Sequence, residues 1–119
     1  MLALQGAMVA QGQGEGRVTV IEAFYMGLVA KLGCVVCRRF EPTGLPVEVH
    51  HVARGSGVRS DFAVAPLCVE HHRGQAGFHG MGERAFCRLY RPPGEAETGL
   101  LIWNAEDLAR YLRAARVVA

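Results

Sequence analysis

Apolar residues recur at helical spacing through one early segment of the chain. From Thr19 to Leu32, the positions Ile21, Phe24, Tyr25, Leu28, Val29 and Leu32 fall three and four apart, which predicts a helix that packs through these residues. Thr19 and Glu22 have the spacing of a capping box, in which hydroxyl and carboxylate satisfy the free amides at a helix start. Gly33 supplies a stop, because glycine enters the left-handed region cheaply, and the helix delivers the chain into Cys34. Turn signals at Pro42-Thr43-Gly44 and Pro46 precede a β-branched run, Val47 to Val52, that reads as a short strand. Arg54 to Ser60 reads as a Gly-containing loop and Phe62 to Leu67 as a second strand. A short helix is expected from Val69 until Gly74 interrupts it, and another from Gly82 to Tyr90, ended by Pro92-Pro93-Gly94. Leu100 to Trp103 reads as extended. Asn104 is then expected to cap a last amphipathic helix, to about residue 116, through Leu108, Tyr111 and Leu112. The centre of the chain is thus a ββα unit within a small α+β fold.

Length and composition narrow this picture. The 119 residues suit one domain, taken as 18–119 after a Gly/Gln-rich leader over 1–17 that is expected to be flexible. Half of the residues are hydrophobic, which excludes a disordered chain, yet only 8% are aromatic and 15 are Gly, so the core should be modest. A domain of that kind often needs a metal to hold it together. The apolar run in MLALQGAMVA is too short for a signal peptide or membrane span and has no basic residues ahead of it. No membrane association is expected, and a cytoplasmic location follows. A net charge of +2 is a weak nucleic-acid signal by itself. The arginines nevertheless gather near the motifs: Arg38 and Arg39, Arg54 and Arg59 in the loop, and Arg73 after a His pair.

Cys34 and Cys37 form a C-x-x-C pair, and Cys68 begins a C-x-x-H pair with His71. Two such half-sites, one on each side of the expected hairpin, are how two chain segments supply a tetrahedral structural zinc. Binding then contributes directly to folding. Cys87 stands apart within a helix, as a small buried hydrophobe or as a substitute for His71 in the fourth position.

All five histidines lie between residues 50 and 79. His50 and His51 are adjacent on a strand and so point to opposite faces, unless a twist or bulge turns both toward one site. His72 sits beside the zinc ligand His71, roughly 100° further round a helix. His79 follows Gly74 and Gly77, which let the chain curl back. This set suits phosphodiester hydrolysis. A divalent ion held by imidazoles polarises the phosphate, a separate neutral imidazole takes a proton from water, and arginines hold the non-bridging oxygens.

Taken in order, the motifs LGCVVC, VEVHHV, SDFAVAPLCVEHHRG and GFHGMGERAF resemble the phage-encoded HNH nucleases of the recombination-enhancement (Ref-like) branch, over about Leu32 to Tyr90. The resemblance implies a ββα-metal (His-Me finger) core. It makes His50 a metal ligand, His51 the general base, and His72 and His79 the remaining ligands of the catalytic ion. Glu48 would orient an imidazole or an arginine. Asp61 stands near the place of the family's central Asn, which has no counterpart here, and would pin the hairpin loop. His79 lies seven residues past His72, where many HNH enzymes space these ligands four apart. Arg54, Arg59 and Arg73 are the expected phosphate contacts. The flanks, up to Lys31 and beyond Arg91, carry nothing transferable.

The expected function is therefore a metal-dependent DNA endonuclease with a structural zinc and one catalytic divalent ion, Mg²⁺, Mn²⁺ or Zn²⁺, and no small-molecule cofactor. DNA is the expected partner, with a RecA-type recombinase filament presenting it. The alternatives are a non-catalytic zinc-stapled module binding DNA or protein, and an accessory of phage DNA packaging.

Overall fold

Thr19 caps the first helix by both arms of the capping box. Its hydroxyl accepts from the Glu22 amide at 3.1 Å, and the Glu22 carboxylate accepts from the Thr19 amide at 2.8 Å. The computed structural model describes residues 17–52, 60–94 and 96–115, so Arg54, Arg59 and the leader up to residue 16 lie outside the described residues. Helix α1 spans Val20–Leu32 and stops at Gly33, which takes φ 90. Helix α2, Val35–Arg39, starts directly after Cys34 and contains Cys37, and is too short to carry a periodic signal.

The helical span from Thr19 to Leu32 is as expected, but its packed face is not. Ala23, Met26, Gly27, Val29 and Leu32 are buried, while Ile21 is 70% and Phe24 50% exposed. The helix is apolar nearly all round, so spacing alone fits more than one stripe, and the smaller residues win the close approach to the sheet. Val20–Arg39 is long and apolar enough to cross a membrane, with a hydropathy of 1.8. It is nevertheless broken at Gly33 and Cys34 into α1 and α2.

Strands β1, Val47–His51, and β2, Val64–Cys68, form an antiparallel pair that runs in unbroken register from Val47 opposite Cys68 to His51 opposite Val64. Every residue of β2 is buried because both its faces are covered. Val64 packs with Ala23, Met26 and Val29 of α1, with Val49 beside them. Ala65 and Leu67 face the other way, into a core built from Val35, Val36, Phe78, Phe86, Leu100 and Trp103. Full burial of side chains such as Phe86 and Leu100 contributes roughly 1.5–3 kcal/mol each.

Helix α3, Val69–Arg73, follows β2 directly, and α4, Phe78–Met81, and α5, Glu83–Tyr90, come next. The turn joining α3 to α4 is wound tightly. A Cβ on Gly77 would strike the Glu70 carbonyl, and one on Gly80 would strike the Gly74 carbonyl. Only hydrogen fits at these close approaches.

The last helix, α6, spans Thr98–Ala114, so Leu100 to Trp103 is helical and Asn104 is an interior residue. The buried stripe is Leu100, Trp103, Asn104 and Asp107, at helical spacing with two polar members. The polar members serve as ties. Asn104 Nδ2 lies 3.4 Å from the Tyr25 hydroxyl on α1. Asp107, 1% exposed, accepts two bonds from the Arg39 guanidinium at 3.0 and 2.9 Å. Arg39 also lies 4.9 Å from the centroid of the Trp103 ring. Removing that guanidinium leaves a buried carboxylate short of its main partner, which costs ~3 kcal/mol.

Candidate functional site: two histidine-bearing clusters

The first cluster joins the two half-sites. One ligand atom from each of Cys34, Cys37, Cys68 and His71 lies within 4.8 Å of all the others. His71 Nδ1 is 3.6, 3.5 and 3.2 Å from the Cys34, Cys37 and Cys68 sulfurs, and Cys37 Sγ is 3.7 Å from Cys68 Sγ. A tetrahedral zinc with sulfur at about 2.3 Å and nitrogen at about 2.05 Å places sulfur pairs about 3.8 Å apart and sulfur–nitrogen pairs about 3.5 Å apart. The spacing and the soft donors therefore fit, and this group could hold a metal such as zinc. Cys34 and Cys68 each cap the short helix that follows, accepting from the amides of Cys37 and His71 at 3.4 Å. The Thr43 hydroxyl adds a bond to Cys68 Sγ at 3.2 Å.

Burial pushes the Cys34 thiol up to about 12, so ligation there has to displace a firmly held proton. Burial also pushes Cys68 up, but hydrogen bonds from Thr43, the His71 amide and the neighbouring thiols outweigh it, and its net shift is downward. Cys87 is half-buried against the core and is not part of the cluster.

The second cluster is His50, His72 and His79, whose ligand atoms also lie within 4.8 Å of one another. Three elements converge to make it. His50 is buried near the end of β1, opposite Ala65, and so faces the core that contains Phe78. His72 comes from α3, and its ring centroid is 5.2 Å from that of His50. The tight Gly-rich turn then brings His79 on α4 to within 4.8 Å of His72 by ring centroids, and 5.4 Å of His50. The seven-residue spacing is thus bridged by a second short helix, where a spacing of four would stay on one.

Two of the three imidazoles are held by carboxylates. Glu48 Oε1 is 2.7 Å from His72 Nδ1, and the same carboxylate takes a bidentate grip from Arg73, with Nη2 to Oε2 at 2.8 Å. Arg73 is the largest cause, with His72 assisting, that holds the Glu48 carboxyl down to about 2. Arg73, expected at phosphate, is thereby engaged within the site, with an exposed side chain.

Glu97 is the second anchor: its Oε2 lies 2.9 Å from His50 Nε2. Both residues are buried. Sequence reasoning missed Glu97 because it comes from the flank thought uninformative, 47 residues from its partner. Its only local signal is an acidic residue where a helix begins after Pro-Pro-Gly. The Glu83 carboxylate accepts from the Glu97 amide at 3.1 Å, which ties this turn to α5.

Burial, followed by repulsion from His72, His79 and His51, pushes the His50 imidazole down to about 3. His79 is shifted down as well, by burial and by His72. Neutral rings are what a metal requires, and a neutral His50 can donate one N–H to Glu97 while its other nitrogen ligates.

His51 does not join this group. The β1–β2 register has no bulge, so His51 takes the opposite face from His50. Its Nε2 lies 2.8 Å from Asp61 Oδ1, across the base of the hairpin loop. Asp61, expected to pin the hairpin loop, makes this contact with His51, and the loop residues 53–59 lie outside the described residues.

No curated protein and no solved structure matches this chain. The family model for recombination enhancement, RecA-dependent nuclease, matches residues 18–109, which take in both clusters and the flanking residue Glu97. The chain belongs to the recombination-enhancement, RecA-dependent nuclease family.

Proposed function

We propose that the protein is an HNH-type DNA endonuclease that hydrolyses phosphodiester bonds with one catalytic metal ion. The observation that carries this reading is the convergence of His50, His72 and His79, with carboxylates anchoring two of the three rings. On this reading β1, β2 and α3 are the ββα-metal unit, and the Cys34, Cys37, Cys68 and His71 group holds a structural zinc that fixes both ends of it. A divalent ion bound at the three imidazoles supplies Lewis-acid stabilisation of charge at the phosphate and the leaving oxygen.

The chain's own residues do the rest. His51 ends β1 on the face opposite His50, so the scissile phosphate would lie across that strand end. There His51 takes a proton from the attacking water, and Asp61 holds its ring by accepting at 2.8 Å. Water attacks phosphorus, the bond to the 3′-oxygen breaks, and that oxygen takes a proton from solvent, so the products carry a 5′-phosphate and a 3′-hydroxyl. Glu97 orients His50, and Glu48 orients His72. Arg73, paired with Glu48 on one edge, faces solvent where a non-bridging phosphate oxygen would sit. Arg54 and Arg59 are proposed phosphate contacts on sequence grounds. On this reading a recombinase filament of the RecA type presents the DNA, which the RecA dependence in the family's description supports, and a phage or prophage origin fits the motif resemblance. The test is cleavage of plasmid and single-stranded DNA that requires a divalent ion. Zinc-loaded, folded protein that cuts nothing, with or without a RecA filament, would leave a zinc-stapled binding module instead.

A further inference from the structure

Helices α2 and α6 line an open groove of about 800 Å³ that takes in Cys34 and Cys37 of the zinc group, with Arg38, Arg39, Arg110 and Asp107 on its walls. Asp107 organises all three arginines. Arg39 takes both of its oxygens, Arg38 Nε lies 3.5 Å from Oδ2, and Arg110 Nη1 lies 3.3 Å from Oδ1. Arg39 is thereby consumed, with Glu106 as a further partner at 3.0 Å. Arg38 and Arg110 are different: their side chains are 41% and 61% exposed, and each meets Asp107 through one nitrogen only. Arg38 also donates Nη1 to the Leu32 carbonyl at 3.2 Å, which leaves its Nη2, with the outer edge of Arg110, for a ligand in the groove. Three arginines against Asp107 and Glu106 leave one positive charge, which a zinc with three thiolates beside the groove would offset. The attraction for phosphate is therefore local to the exposed Arg38 and Arg110. At the rim stands Phe40, 54% exposed, steadied edge-on by Tyr90 and Trp103.

Cationic groups that track a backbone, beside an exposed ring on which a base can stack, are the two elements of a single-strand nucleic-acid groove. We propose that this groove is a second DNA subsite, which holds the phosphodiester backbone of a single strand through Arg38 and Arg110 and stacks an unpaired base on Phe40. The proposal rests on the nuclease reading for its place in the reaction, but binding at the groove can be measured without cleavage. Glu97 and Asp107 stand ten residues apart on and beside α6, about 15 Å along its axis. About four nucleotides of a stacked strand, at about 3.4 Å each, span that distance. The groove is therefore a site separate from the histidine cluster, yet within reach of the same strand.

The experiment measures binding of a fluorescein-labelled oligothymidylate by full-length, zinc-loaded protein across a salt series, in a His51→Ala background to suppress cutting. Three proteins are compared: the background, Arg38→Gln/Arg110→Gln, and Phe40→Ala. Arg39 keeps its bidentate hold on Asp107 in each, and equal zinc content and melting temperature check that the fold is retained. The double variant is expected to bind at least tenfold more weakly at low salt. Its slope of log K against log salt should shrink by about 1.4, for two lost phosphate contacts on a single strand. Phe40→Ala should lose roughly fivefold or more on single strands and much less on duplex. Unchanged affinity and slope in folded variants would overturn the proposal. So would unchanged DNA affinity if the same substitutions, made with His51 intact, lost only filament-stimulated cleavage, an outcome that would assign the groove to a protein partner.

Discussion

Replacing Glu97 tests whether a residue outside the motif region serves the proposed metal centre. Its carboxylate lies 2.9 Å from His50 Nε2, and both groups are buried. In Glu97→Gln the amide oxygen can still accept from the His50 N–H, but the negative charge that makes the ring a better ligand is gone. Hydrogen bonds to charged groups contribute roughly 1.5–3 kcal/mol against about 1 kcal/mol for neutral ones, so a loss of about 1 kcal/mol is expected, or roughly fivefold in metal affinity. Glu97→Ala removes the bond entirely and frees the ring, for which the expected loss is about 10–100-fold. The alanine variant also leaves a buried N–H without an acceptor, at about 1–3 kcal/mol of stability. The assay is Mn²⁺ binding followed by electron paramagnetic resonance on protein whose Cys34, Cys37, Cys68 and His71 group is already zinc-filled, with a parallel thermal melt. A merely structural Glu97 would lower the melting temperature and leave the Mn²⁺ affinity of the folded protein unchanged. That result would refute the role assigned here.

Cys34→Ser should lose the structural zinc and unfold the domain, since the ligand set spans two segments 31 residues apart by Cys37 and Cys68. Metal analysis and circular dichroism check this, and a folded, zinc-replete variant would contradict it. Stability should also fall with acid in a way traceable to His50. Its folded pKa is depressed to about 3 from 6.5, so below about pH 6.5 the unfolded chain binds a proton that the native state refuses. The sign is loss of stability as pH falls, with up to about 1.4 kcal/mol per pH unit from such a group. Glu48, held down to about 2, adds loss of the same sign below about pH 4.5. Urea midpoints for wild type and His50→Asn between pH 6.5 and 4.5 isolate the histidine: the variant should show the shallower pH dependence, and equal slopes would contradict the assignment.

What was legible in the sequence was local. Cys34 with Cys37 and Cys68 with His71 are each three residues apart, so their convergence needs only a knuckle and a hairpin, and both could be read from spacing. The two strands and the capping box at Thr19 came through for the same reason. The packed face of α1 did not, because a helix apolar nearly all round leaves the choice of face to its neighbours. Helix α6 was cut short because Leu100 to Trp103 has strand-like residues and Asn104 is a good cap in isolation. Tertiary packing overrode both, burying Asn104 against Tyr25 and Asp107 under Arg39. Glu97 and Asp107 meet partners 47 and 68 residues away, and no spacing rule reaches that far. His79 was readable as a histidine near glycines, but only the close approach of Gly80 to Gly74 explains how it returns to His72.

The most direct test of the central claim is cleavage of supercoiled plasmid and single-stranded DNA by wild type and His51→Ala. Each would be assayed with Mg²⁺, Mn²⁺ or Zn²⁺ and with EDTA, in the presence and absence of a RecA filament. His51 lies on the opposite strand face from His50 and is held by Asp61, so its loss should spare the fold and the zinc while abolishing cutting. Metal-dependent cleavage by wild type and none by a folded His51→Ala is the predicted result. Equal cleavage by the two would remove His51 from the mechanism, and silence from folded, zinc-loaded wild type under every condition would contradict the nuclease assignment itself.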